Sequence, residues 1–218
     1  MRFDFNLDAA IFDNDGTLMD TMPYWRYTTL EFLLAHQLPV DPDMLVQMYD
    51  SSSRKLLTQI CEDMGGTVDV EDAVAEVEGY MNRHYLYDAH LKTPSVPELL
   101  RRLKAHGAKL CVATAAPREY VSNGLRRLGI LDCFDFVTDN KEFAHKKREP
   151  EYFAALLARL GTTAERTWVF EDALYAMESA KAAGLRVCAI EEGTQRRDRE
   201  AILAIADVYV RDYSELFC

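Results

Sequence analysis

The sequence has no Cys-x-x-Cys pair, no excess of basic residues, no internal repeat and no apolar run long enough to cross a bilayer. Each absence removes a class of protein. Cys61, Cys111, Cys133, Cys188 and Cys218 are odd in number and scattered, so neither a disulfide framework nor a zinc site is indicated. A reducing compartment, the cytoplasm, is the simpler setting. No signal peptide is expected either, because Asp4 and Asp8 precede a first strand-like run that begins near Ala9. A formal charge of −11 disfavours nonspecific attachment to nucleic acid or to an anionic membrane, since the long-range field repels both. It does not exclude a small anionic substrate, because screening over ~8 Å leaves binding to local groups and a cation. The lack of repeats and of low-complexity segments argues against a solenoid or scaffold. His36, His84, His90, His106 and His145 show no metal-ligand spacing, and no chemistry is assigned to them.

What is present is an ordinary globular balance, 49% apolar and 28% charged residues, in a chain of 218. That length buries a substantial core, as one large domain or a medium domain carrying a smaller one. β-type runs end near Phe12, Thr114, Thr138, Phe170 and Ile190, and most precede a stretch with apolar residues at three-to-four spacing. The alternation predicts an α/β fold, a Rossmann-like parallel sheet with helices on both faces. Helices are expected over Tyr120 to Leu128 and Ala173 to Ala183, with Gly107, Gly129 and Gly184 at helix ends. Residues 19–91 break the rhythm. They read as consecutive helices, Tyr24 to His36, Asp43 to Tyr49, Arg54 to Met64 and Val70 to Leu91, separated by a proline-containing link, the Ser51 to Ser53 run and Gly65-Gly66. Residues 1–18 and 92–218 are therefore expected to form the α/β domain, and residues 19–91 an inserted helical domain.

In an open parallel sheet, ligands bind at the carboxyl ends of the strands. Those ends here carry Asp13 and Asp15, then Thr114, then Glu171 and Asp172, while Lys147 follows the third run. Two carboxylates two residues apart on extended backbone point to the same side and repel unless a cation or shared proton compensates. With Asp172 they make a hard, oxygen-rich site that suits magnesium better than zinc. A cation there would offset the repulsion between a carboxylate nucleophile and a phosphate dianion. Asp13 is read as the nucleophile that forms an aspartyl-phosphate, and Asp15 as the acid for the leaving alkoxide and the base for water. Gly16 allows a sharp turn and Thr17 a local bond. Thr114 offers a hydroxyl, and the next residue, Ala115, a backbone amide, to phosphate oxygens; Lys147 offers a cation, with Lys146 the competing assignment.

This arrangement resembles the haloacid dehalogenase-like hydrolase superfamily, over nearly the whole chain. The resemblance rests on Asp13-Asn14-Asp15-Gly16-Thr17, Leu110-Cys111-Val112-Ala113-Thr114 and Val169-Phe170-Glu171-Asp172, followed by Ala180-Lys181-Ala182-Ala183-Gly184. It implies magnesium held by the Asp13 side chain, the Asp15 carbonyl and Asp172, with Glu171 acting through water, and a mobile helical cap that closes over substrate and supplies specificity. The third motif departs from the family's Lys-Pro-x-Pro, with Arg148 in place of the first proline; Pro150 anchors the alignment and selects Lys147 over Lys146.

Within the superfamily the chain is similar to the sugar-phosphate phosphatase, phosphoglycolate phosphatase and β-phosphoglucomutase group. Trp25 stands where hexose mutases carry a cap-linker histidine, which favours a phosphatase over the mutase alternative. Arg54 aligns roughly with a cap arginine that meets a distal anionic group, Trp25 could stack on a sugar face, and Arg118 follows Thr114 closely enough to touch a ligand. The expected partner is a small phosphorylated metabolite, handled by a monomer or small homo-oligomer. A non-catalytic binding or regulatory protein on the same fold is the remaining alternative, and the intact acidic set counts against it.

Overall fold

Short apolar runs bounded by turn residues form the strands of one sheet. In the computed structural model, which describes residues 3–50, 53–63 and 65–217, these are β1 (Ala9–Phe12), β2 (Lys109–Thr114), β3 (Phe136–Asp139), β4 (Thr167–Glu171), β5 (Arg186–Ile190) and β6 (Val208–Val210). They pair in parallel in the order β3-β2-β1-β4-β5-β6. The helices are α1 (Met22–Ala35), α2 (Pro42–Asp50), α3 (Ser53–Asp63), α4 (Val70–Tyr87), α5 (Val96–Ala105), α6 (Arg118–Arg127), α7 (Pro150–Leu160), α8 (Leu174–Ala182) and α9 (Arg199–Ile205).

The chain divides into two compact units, Met1–Asp20 with His90–Cys218, and Thr21–Ala89. In the first, parallel strands covered on both faces become continuously apolar, and successive residues serve opposite faces. Ala9 and Ile11 thus pack with Cys111, Ala113, Val169, Val187, Tyr152, Phe153 and Met177. On the other side Phe12 stacks on Phe170 with ring centroids 4.4 Å apart, Phe170 meets Tyr213 edge-on, and Phe3 packs against Trp168. The second unit is helical. Phe32, Leu33, Leu57, Ile60, Ala73 and Val77 form its core, and Asp69 caps α4 by accepting from the Glu71 and Asp72 amides.

Strand order determines where a ligand belongs. The chain moves outward from β1 to β2 and β3, then returns to β4 on the other side of β1, so the direction of winding switches between β1 and β4. The carboxyl ends flanking such a switch leave a crevice.

Two readings of the sequence are corrected. The helix expected to reach Leu91 ends at Tyr87, because Asp88 closes it and Leu91 instead pairs antiparallel with Met19, beside an Asp20 amide bonded to the His90 carbonyl. β6 was not anticipated. Its three residues at the sheet edge are too few to show a period. Gly107, Gly129 and Gly184 follow α5, α6 and α8 with positive φ. Ser51, Ser52, Met64 and Cys218, named in the sequence reading, lie outside the described residues. Among the described residues Cys61, Cys111, Cys133 and Cys188 are free thiols, and no helix is long and apolar enough to cross a membrane.

Candidate active site

β1 delivers Asp13 to the switch point. The register pairs Phe12 with Phe170, and the Asp13 amide donates to the Phe170 carbonyl at 2.9 Å, so Asp13 and the Glu171-Asp172 pair leave adjacent strands side by side. Beyond Asp13 the Asn14 carbonyl accepts from the amides of Thr17, Leu18 and Met19, a tight loop that needs Gly16 at φ 88°. Thr17 then closes the loop onto the second strand, donating its hydroxyl to Asp172 Oδ1 at 3.2 Å.

Asp13, Glu171 and Asp172 are all buried, and each offers a carboxylate oxygen within 4.8 Å of the others. One cation answers them. Lys147, 2% exposed, places its ammonium against Asp13 Oδ1 and 2.7 Å from Glu171 Oε2, whereas Lys146 is exposed. The loop before α7 is pinned by the Lys147 amide to Asn140 Oδ1 at 3.3 Å and by the Glu149 amide to the Lys146 carbonyl at 2.8 Å. Arg148, the departure from the resembled motif, lies over the Tyr175 ring at 5.6 Å, while Lys147 is directed inward. Thr114 is fully buried; its hydroxyl accepts the Ala116 amide and donates to Asp15 Oδ2 at 3.4 Å. Ala115 is exposed at the turn after β2.

The electrostatics follow from three buried carboxylates facing one ammonium. Burial pushes the Asp13 carboxyl up to about 8; the neighbouring Lys147 opposes this, and Glu171 and Asp15 add to it. Asp172 is raised by burial and then by Glu171, Asp13 and Glu192. Burial works against the Lys147 charge, but Asp13 and Glu171 outweigh it and hold the ammonium well above its ordinary value. An under-compensated nest of hard oxygen donors is what a divalent cation requires, so the residues present fit magnesium.

The linkage has a definite sign. The unfolded chain releases the Asp13 proton near the ordinary carboxylate value and the folded chain retains it to about 8, so folding takes up protons across that window. Metal-free stability should therefore fall as pH rises through it. A divalent cation held by these carboxylates would require their deprotonated form, so any stabilisation by added magnesium should be larger at about pH 8 than at about pH 5. Melting curves with magnesium or with a chelator at the two pH values check this; an increment larger in acid would contradict it.

The remaining sequence candidates are engaged elsewhere. Arg118 donates its amide to Asp139 and holds its guanidinium 3.6 Å from Glu142, so its neighbours are these two acids rather than the buried cluster. Arg54 forms a two-point pair with Glu71 in the helical unit, and the Trp25 indole donates to the Tyr85 hydroxyl at 3.2 Å. Among the histidines, His84 is buried in that unit between Glu31 and Asp88, at 2.6 and 2.7 Å, under the Tyr24 ring. Sequence reasoning missed Tyr213, fully buried, whose hydroxyl donates to the Thr17 carbonyl at 3.2 Å beneath the loop. A tyrosine 196 positions from its partner carries no local signal.

The model of the family described as haloacid dehalogenase-like hydrolase matches residues 10–190. A phosphorylated carbohydrates phosphatase of Thermotoga maritima is 29% identical over 180 residues, 82% of either chain. The validoxylamine A 7'-phosphate phosphatase of Streptomyces hygroscopicus subsp. limoneus is 28% identical over 208 residues, 95% of either chain. A solved Thermotoga maritima protein provisionally named a β-phosphoglucomutase superposes with a TM-score of 0.80 at 25% identity, covering 97% of both chains. A buried aspartate cluster at the switch point, a lysine bound into it and a matching family model over most of the chain lead to one statement: this chain belongs to the haloacid dehalogenase-like hydrolase family.

Proposed function

We propose that the chain is a magnesium-dependent phosphatase of small phosphorylated metabolites, sugar phosphates or similar phosphomonoesters, acting through an aspartyl-phosphate. The observation that carries this reading is the buried Asp13, held by Lys147 and crowded by Glu171 and Asp172 at the β1/β4 switch. The phosphatase names of the curated relatives support the reaction class.

Glu171 has both oxygens committed, one to Lys147 and one to the Ala173 amide at 3.1 Å. Direct ligation would therefore fall to the Asp13 and Asp172 carboxylates and the Asp15 carbonyl, with Glu171 acting behind them. When bound, the cation supplies positive charge that offsets repulsion between the Asp13 carboxylate and phosphate oxygens. Asp13 attacks phosphorus as the bond to the substrate's alkoxide breaks, and Asp15 gives that alkoxide a proton. Asp15, now a base, takes a proton from water, whose oxygen attacks the aspartyl-phosphate and returns Asp13 with free phosphate. The bond from the Thr114 hydroxyl orients Asp15 for both transfers. Lys147 neutralises charge as it builds on the transferring group. In this reading Thr21–Ala89 is the cap, with Trp25 and Arg54 on it, and Ala115 borders the phosphate end. The enzyme works in the cytoplasm as a monomer or small homo-oligomer, a setting supported by its free buried thiols.

The deciding experiment is a panel of phosphorylated metabolites assayed for phosphate release with magnesium and with a chelator. Turnover that needs magnesium is expected. Isomerisation of a hexose 1-phosphate without net phosphate release would replace the phosphatase by a mutase.

A further inference from the structure

The chain leaves β5 at Ile190 and turns through a short 3₁₀ helix, Gly193–Asp198, into α9. The Glu191 amide donates to the Val210 carbonyl at 2.8 Å, so the ends of β5 and β6 stay paired. There the chain encloses a cavity of about 330 Å3, which shares no residue with the aspartate cluster. That volume is at the low end for small-molecule sites, about 300–1,000 Å3. Buried Ile190 and Ile202 and the Tyr209 ring give it apolar walls, and Gln195 and Arg196 bring polar groups to it. The other charges around it are already matched. Glu191 lies 3.6 Å from Arg199 and 3.4 Å from Arg211, and Arg199 also covers the Tyr209 ring at 5.6 Å. Glu192 accepts the Thr194 amide at 3.0 Å with one oxygen and meets the Lys92 ammonium with the other. Arg196 is left over. Every other arginine among the described residues has a hydrogen bond, an ion pair or an aromatic ring beside it, and Arg196 has none. Gln195 uses its backbone amide on the Glu192 carbonyl at 3.0 Å, and its side-chain amide has no partner among the described residues.

We propose that this cavity is a second binding site, for a small monocarboxylate with an apolar body. The body fills the space against Ile190, Ile202 and Tyr209, and its burial drives binding. The carboxylate takes the Arg196 guanidinium in a two-point contact, and the Gln195 side-chain NH2 donates to the same group. One unmatched guanidinium balances one negative charge. A phosphate dianion would bring a second charge beside Glu191 and Glu192, whose cations are already committed. Binding here is independent of catalysis at Asp13.

Titration of the full chain with sodium benzoate, followed by the methyl NMR signals of Ile190 and Ile202, tests the site. Mg2+ and inorganic phosphate are kept in the buffer so that anions compete at the aspartate cluster. Benzoate should shift both isoleucines with a Kd of ~1 mM. Benzyl alcohol, which keeps the ring and lacks the charge, should bind at least about tenfold more weakly. Arg196→Gln should weaken benzoate by about tenfold or more, whereas Arg197→Gln should stay within about twofold of the parent. Arg196 is exposed and makes no contact that folding needs, so the variant should melt with the parent. No binding at about 20 mM benzoate, an unchanged affinity in Arg196→Gln, equal binding of benzyl alcohol, or shifts confined to the Asp13 loop would each overturn the site. Phenylphosphonate bound more tightly than benzoate would overturn its assignment to a monocarboxylate.

Discussion

Asp13→Asn should abolish phosphate release from an aryl phosphate, by about a thousandfold or more, while leaving the metal-free protein at least as stable as the parent. The two halves have different causes. Asparagine matches aspartate in size and keeps an oxygen that accepts from Lys147, so the packing around β1 and the Asp13-to-Phe170 backbone bond are undisturbed. It lacks the anionic oxygen that would attack phosphorus, and no neighbour can replace it. Glu171 is bound to Lys147 and the Ala173 amide, and Asp172 to Thr17. Removing one charge from three crowded carboxylates relieves repulsion in the absence of metal. Phosphate release and chelator-treated melting curves, measured together, check both parts. Full activity in the variant would remove Asp13 as nucleophile, and a large loss of stability would mean that the carboxylate also holds the fold.

Much of this was legible in the sequence because parallel strands leave a local mark. β1, β2, β4 and β5 are buried on both faces and so appear as short apolar runs, and the residue after each run is where the fold exposes chemistry. Asp13 and Asp172 directly follow their strands and Thr114 ends its own, so all three stand at the strand ends that this rule singles out. Lys147 was harder, because it comes from a loop and no strand end points to it. Pro150 supplied the register through the resemblance to the family's Lys-Pro-x-Pro motif, and in the structure α7 starts at that proline. What sequence could not supply was pairing across long separations. Arg54 and Arg118 are expected from the sequence to meet a ligand, and nothing local in it signals the Glu71 and Glu142 that pair with them. Tyr213 under the Thr17 carbonyl and Lys92 against Glu192 have no periodicity, since each contact is set by how the sheet folds back on itself. The overlong helix to Leu91 has the opposite origin: helical spacing persists past Asp88, but a tertiary pairing with Met19 takes the residue.

Lys147→Met should differ from Asp13→Asn in being damaging to both stability and activity. The ammonium is the only cation seen in contact with the cluster among the described residues, so its removal leaves Asp13, Glu171 and Asp172 buried together without a counter-charge. Breaking a buried pair from one side costs about 3–5 kcal/mol. The loss should be greatest in the metal-free protein at about pH 8 and smaller in acid, because Asp13 and Asp172, already raised, take up protons there and no longer need the lysine. Magnesium should restore part of the stability by supplying the missing positive charge, yet turnover at saturating metal should remain about a hundredfold to a thousandfold low, since the cation proposed to face the transferring group would be gone. Lys146→Met is the control. Its side chain is exposed, and the change should stay within about 0.5 kcal/mol. Adding Asp13→Asn to Lys147→Met should recover stability but not activity, because it removes one of the charges that the lysine had balanced. If Lys147→Met melted like the parent in chelator at about pH 8, the three acids would have to be neutral without the lysine, and the charge balance proposed for the site would be wrong.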